Sequence, residues 1–212
     1  KIIGDMQILG QVKDAFRLAE KHKSTGKLLH QMFERSFKIG KQVWAETNLH
    51  KGVISISSAA VELALQKTGS LKNKTVLIIG AGNMSRLTAE YLLKKKVGKI
   101  FITNRTRAKA EKLIENLKTE TEFNSEVIEF ADFKNYLNEI DVVISSTSSP
   151  APILEKADFA NQTNPILLID IAVPRDIAPE TADFDVVELN NIDELNAIVD
   201  KHHQRRMADL PK

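Results

Sequence analysis

The chain has 212 residues, 42% of them hydrophobic, with 30 Lys and Arg against 28 Asp and Glu and no Cys. Such a composition excludes a disordered chain, a disulfide scaffold, a Cys-ligated metal and any thiol nucleophile within these residues, and a net charge of +2 gives no overall field that would select nucleic acid. Its apolar runs are far shorter than the roughly 20 residues that cross a bilayer, and no signal-peptide pattern opens it, so a cytoplasmic protein without membrane contact is expected.

The first seventy residues read as helical. Apolar side chains recur at three- and four-residue steps through Ile8, Val12, Ala15, Phe16 and Ala19, then through Leu29, Phe33 and Phe37. Ser24, Thr25 and Gly26 separate the first helix from the second, and residues 48–52 separate the second from a third starting near Ser55 and stopping at Gly69. From Lys74 short β-branched runs alternate with amphipathic segments, which predicts βαβ units and a parallel sheet. Strands are expected at 75–80, 99–103, 126–130, 141–146, 165–171 and 185–189. Helices are expected at 84–95, 108–118 and 132–138, and over most of the other intervals. Runs such as VLII and ILLI are apolar on both faces, as strands covered on each side must be. The predicted fold class is α/β, a Rossmann-type doubly wound parallel sheet preceded by a mainly helical partial domain. The expected division is 1–70 helical, 71–190 nucleotide-binding, and 191–212 the start of a helix leaving the sheet domain.

Gly80-Ala81-Gly82-Asn83-Met84-Ser85 follows a strong strand and opens a helix, the context that a G-x-G-x-x-G match requires. Gly80 suits a tight turn, Gly82 admits a pyrophosphate close to the backbone, and Ser85 stands where the third glycine is usual. The second strand ends in Thr103-Asn104-Arg105-Thr106-Arg107, with no acid to bind a ribose 2′-OH. Guanidinium, amide and hydroxyl groups there suit a 2′-phosphate, so NADPH is expected over NADH. Ser145–Pro150 and Ile171–Arg175 fall at the carboxyl ends of later strands, where the hydroxyls would border the cofactor ribose and Val173-Pro174 would wall the nicotinamide. The five His residues show no metal-ligand spacing. A basic excess in residues 1–50, including Lys38 and Lys41, suits either nucleic-acid phosphates or a solvated face.

GDMQILGQVKDAF, FKIGKQVWAET, ISISSAAVELA, VLIIGAGNMS, TNRT, DVVISSTSSP and LLIDIAVPRDI follow one another in an order and spacing that resembles the glutamyl-tRNA reductases along essentially the whole chain. The resemblance implies an enzyme that uses NADPH to reduce the activated carboxyl of glutamyl-tRNA to glutamate-1-semialdehyde, the first step of tetrapyrrole and haem synthesis from glutamate. In that family a Cys forms a thioester that hydride then reduces. With no Cys here, the resemblance implies a piece of a longer chain, inactive alone, with nucleophile and associated His upstream of Lys1. It places substrate contacts on Asp5, Met6, Gln7 and Gln11, in a motif the family usually opens with Gly-Glu where this chain has Gly4-Asp5. Cofactor contacts fall on Gly80 to Ser85 and on Asn104, Arg105 and Thr106. A homodimer built on the helix that starts near Asn191, and glutamate-1-semialdehyde aminotransferase as a channelling partner, are also implied. Two other readings remain: a shikimate-dehydrogenase-like NADP oxidoreductase, since GAG and NRT also occur there, and a non-catalytic NADPH-binding module.

Overall fold

The computed structural model describes residues 6–46, 56–119 and 121–195, which fall into two units. In the first, α1 (Met6–Lys21) and α2 (Lys27–Glu46) are joined by a short turn at the expected Ser24–Gly26 position. Phe16 is the buried centre of their seam, with the rings of Phe33 and Phe37 at 4.9 and 5.7 Å. Two helices can bury only one seam. Val12, Leu18, Leu29, Met32 and Ile39 therefore remain exposed, Val12 and Leu29 among them although they belong to the helical periodicity.

The second unit, Ile56–Ile198, is a six-stranded parallel sheet in the order β3-β2-β1-β4-β5-β6. Its elements are α3 (Ile56–Thr68), β1 (Thr75–Ile79), α4 (Asn83–Lys94), β2 (Lys99–Thr103), α5 (Arg107–Lys118), β3 (Ser125–Ile128), β4 (Val142–Ser145), β5 (Ile166–Asp170) and β6 (Val187–Asn191). Order and direction are those of a doubly wound nucleotide-binding sheet, whose ligands sit outside the carboxyl ends of the strands where the winding reverses. That reversal lies between β1 and β4, registered Ile79 against Ser145. Leu77, Ile79, Phe101, Val143 and Leu168 point to one face and join a core with Phe133, Leu137, Leu154 and Phe159. Val76, Ile78, Ile100, Ile102 and Ile144 alternate to the other face and are equally buried.

Two expectations need correction. The β4–β5 and β5–β6 connections hold no α-helix, only short 3-10 turns at Lys156–Phe159 and Pro179–Asp183, and the segment expected as a helix near 132–138 is likewise a 3-10 turn, Phe133–Glu139. Five of the six prolines, Pro150, Pro152, Pro165, Pro174 and Pro179, lie in those two connections, where each removes a donor and fixes φ. The second correction follows. The sequence grouped the third helix with residues 1–70, yet α3 belongs to the sheet unit, packing on α4 and reaching β5. Ser57–Val61, Leu63 and Ala64 are buried around nearly its whole circumference, and Ala59, Ala60 and Ala64 permit close approach. Beyond β6 the chain turns helical at 192–195, and the rest of the helix expected over 191–207 lies outside the described residues.

Candidate functional site

β1 delivers the chain into the glycine turn at the crevice. Gly80 has φ +113, a backbone conformation natural only to glycine, and a Cβ there would stand 3.1 Å from Ser85 Oγ and 3.2 Å from the Ser146 carbonyl. The turn is anchored on both sides: Gly80 N–H donates to the Thr103 carbonyl at 2.8 Å and Ser146 N–H to that of Ile79 at 3.1 Å. Gly82 differs. Its φ of −90 suits any residue and a Cβ would meet nothing within 4 Å, so neither conformation nor packing requires glycine there. What its lack of a side chain preserves is open space at the N-terminus of α4, where no side chain caps the first turn. Uncapped N–H groups at the positive end of a 12-residue helix favour an anion. Asn83 is exposed, Ala81 and Met84 are half-buried, and Ser85 is buried with its hydroxyl 2.9 Å from that of Ser146.

The end of β2 forms the neighbouring wall. Gly80, Asn104, Arg105, Thr106, Lys109 and Ser149 are among the residues lining a cavity of about 220 Å³. The Asn104 amide donates to the Thr106 carbonyl at 2.9 Å and fixes the loop. Arg105 donates through Nη2 to Ser149 Oγ at 2.6 Å and lies 6.0 Å from the centre of the Phe130 ring. Among the described residues no carboxylate pairs with it. Arg107, two positions on, is held by Glu111 at 2.7 Å and by Glu129; hydrogen bonds to the two carboxylates raise its pKa further, Glu111 first. The sequence offered both guanidiniums as anion ligands, and the structure leaves only Arg105 facing a neutral partner.

The loops after β4 and β5 are braced by buried carboxylates that the sequence reading missed. Asp170 ends β5 and accepts the N–H groups of Ala172 at 3.0 Å and Ile177 at 2.9 Å. Burial pushes its carboxyl above the usual range, against those two hydrogen bonds, and the nearby charge of Asp176 adds to the rise. An Asp closing the apolar run ILLID was the available signal. Val173 is exposed beside a cis peptide bond to Pro174.

Of the residues proposed for substrate contact, Asp5 lies outside the described residues, Met6 and Gln7 begin α1, and Gln11 is exposed one turn later. No group of His, Asp and Glu among the described residues could hold a metal, and no described helix is long and apolar enough to cross a membrane.

Comparison with known proteins agrees with this geometry. Residues 1–47 match the family model for the N-terminal domain of glutamyl-tRNA(Glu) reductase, and residues 62–198 match that for shikimate / quinate 5-dehydrogenase. Curated relatives include the glutamyl-tRNA reductases of Chlorobium phaeobacteroides, 38% identical over all of this chain and 50% of that protein, and Carboxydothermus hydrogenoformans, 43% identical over 97% of this chain and 45% of that protein. The chain thus spans about half the length of the curated relatives it matches. Among solved structures, glutamyl-tRNA reductase from Methanopyrus kandleri superposes with a TM-score of 0.65 at 34% identity, covering 98% of this chain and 52% of that one.

Proposed function

The chain belongs to the glutamyl-tRNA reductase family, with a sheet unit of the shikimate / quinate 5-dehydrogenase domain family, and on that premise we propose that it forms the NADPH-binding part of an enzyme that reduces glutamyl-tRNA to glutamate-1-semialdehyde. The observation that carries the cofactor reading is Arg105: among the described residues its guanidinium bonds to a hydroxyl and lies by a ring, with no carboxylate, in the cavity that Gly80 lines, where an NADH enzyme would place an acid. The residues present fit that cofactor. The open space at Gly82 admits a pyrophosphate, the first-turn N–H groups of α4 from Asn83 to Ser85 bind it, and Gly80 and Ala81 shape the turn. Asn104, Arg105 and Thr106 hold the 2′-phosphate. When bound, NADPH supplies the hydride.

The exposed Val173-Pro174 turn, at the carboxyl end of β5, borders the nicotinamide end and limits water there. In the same proposal Asp5, Met6, Gln7 and Gln11 contact the glutamyl group. The family chemistry passes through a Cys thioester, and these 212 residues include no Cys. The role assigned to this chain is therefore cofactor binding and hydride delivery, while acylation needs a thiol from elsewhere. The assembled enzyme would be a cytoplasmic homodimer at the first step of tetrapyrrole and haem synthesis, passing its aldehyde to glutamate-1-semialdehyde aminotransferase.

Titration of the purified chain with NADPH and NADH, followed by nicotinamide fluorescence, tests the cofactor reading. Tighter NADPH binding is expected, and no association at millimolar NADPH by the folded protein overturns it. One observation favours a second reading, the match of residues 62–198 to the shikimate / quinate 5-dehydrogenase model. NADP-dependent oxidation of shikimate by the same preparation would establish that reading instead.

A further inference from the structure

Arg105 is held by a chain of hydrogen bonds that starts beneath the sheet edge. Ser149, whose Oγ accepts from Arg105 Nη2 at 2.6 Å, has its N–H bonded to Thr147 Oγ1 at 3.0 Å. Thr147 is fastened twice to Asp176, by its hydroxyl to Oδ1 at 2.5 Å and by its N–H to Oδ2 at 2.8 Å. Asp176 is wholly buried and takes a third bond from the Ser145 hydroxyl at 2.6 Å. Chemistry sets the direction of each bond. Guanidinium and backbone N–H groups only donate, so Ser149 Oγ accepts from Arg105 and Thr147 Oγ1 accepts from Ser149. The Thr147 proton is left for Asp176. The Ser149 proton is left with no partner among the described residues, in a side chain lining the cavity that also holds Arg105, Thr106 and Lys109.

We propose that Ser149 is a specificity-determining residue, donating its free proton to the cofactor's 2′-phosphate beside Arg105, and that Asp176 is its positioning residue, acting through Thr147. The inference rests on the reading that Arg105 meets a 2′-phosphate. Arg105 and Ser149 then form one donor pair, preassembled by their mutual bond before any anion arrives. A phosphate dianion gains more from such a pair than a ribose hydroxyl does, because hydrogen bonds to charged groups are roughly twice as strong as neutral ones. Lys and Arg at the site attract any anion, whereas a fixed hydroxyl at one bond length selects by position.

The test is calorimetric titration of the full chain and its variants with NADPH and with NADH, with thermal midpoints as the control for folding. Ser149→Ala is expected to weaken NADPH about 10-fold and NADH less than about 2-fold, in line with one charged hydrogen bond, and Ser149→Thr to restore the preference. Thr147→Val should lower the preference for NADPH over NADH in the same direction, with Thr147→Ser restoring it. Equal loss of both cofactors in Ser149→Ala, or no loss, overturns the role of Ser149. An unchanged preference in Thr147→Val overturns that of Asp176. Arg105→Gln separates this from the reading beneath it. If that variant loses the NADPH preference while Ser149→Ala keeps it, only the present inference fails; if Arg105→Gln keeps the preference, the 2′-phosphate reading fails and this inference with it.

Discussion

Ser85 and Ser146 meet hydroxyl to hydroxyl at 2.9 Å, tying the first turn of α4 to the loop that leaves β4 across the point where the sheet reverses its winding. A glycine at position 85 would give α4 close packing without that tie. Ser85→Gly is therefore expected to cost about 1 kcal/mol for the lost bond and roughly 1 kcal/mol more for glycine in a helix. Chemical denaturation should show the fall in stability while NADPH affinity stays near wild type, because the Ser85 hydroxyl is buried and spent on Ser146.

The two glycines of the turn should respond oppositely to substitution. Gly80→Ala forces a side chain into φ +113 and against Ser85 and Ser146, and should destabilise the fold by about 1–3 kcal/mol. Gly82→Val puts its Cβ into open space, so beyond about 1 kcal/mol for a poorer helix N-cap the fold should hold, while dinucleotide binding should be abolished. Undiminished affinity in the Gly82 variant would remove this turn from the site.

Substitution separates the two arginines after β2. Arg105→Glu should weaken NADPH at least about 10-fold more than NADH, since it replaces a charged donor by a repelling carboxylate. Arg107→Ala releases only Glu111 and Glu129, both half exposed, and should change the NADPH affinity less than about 2-fold. Paired titrations of the two variants decide the matter.

Asp170 gives a pH dependence of defined sign. Its carboxyl is raised in the folded state, so the folded protein takes up a proton before the unfolded chain does, and the contribution of Asp170 to stability rises as pH falls from the raised value toward about 4. Asn at this position can accept only one of the two N–H groups, so Asp170→Asn should be less stable throughout. The gap between wild type and variant should widen as pH falls toward about 4 in urea titrations; a gap that stays constant down to that pH would show that the group is not shifted.

Much of this was legible beforehand. The runs VLII and ILLI became β1 and β5 because continuous apolar β-branched stretches between turns have few other structures open to them, and strand ends moved by only one or two residues. The glycine turn was readable because strand, turn and helix adjoin in sequence. What could not be read depended on tertiary register. One local cue separates Arg107, which has Glu111 four residues on, from Arg105, which has Lys109 there; the rest of the difference is made by Glu129, 22 positions after Arg107, and by Ser149, 44 positions after Arg105. Helix α3 was misplaced for a similar reason: periodicity identifies a buried helix without saying which core buries it.

The prolines between β4 and β6 have a further outcome for anyone dissecting the molecule. Because those crossovers bring no helix of their own, α3 roofs part of the sheet from the other end of the sequence. A shortened version cut at Leu71, where the strand pattern invites the knife, would remove α3 with its buried Val61 and Leu63 from α4 and β5 and leave wet hydrocarbon prone to clumping. A version cut at Ile56 keeps its cover.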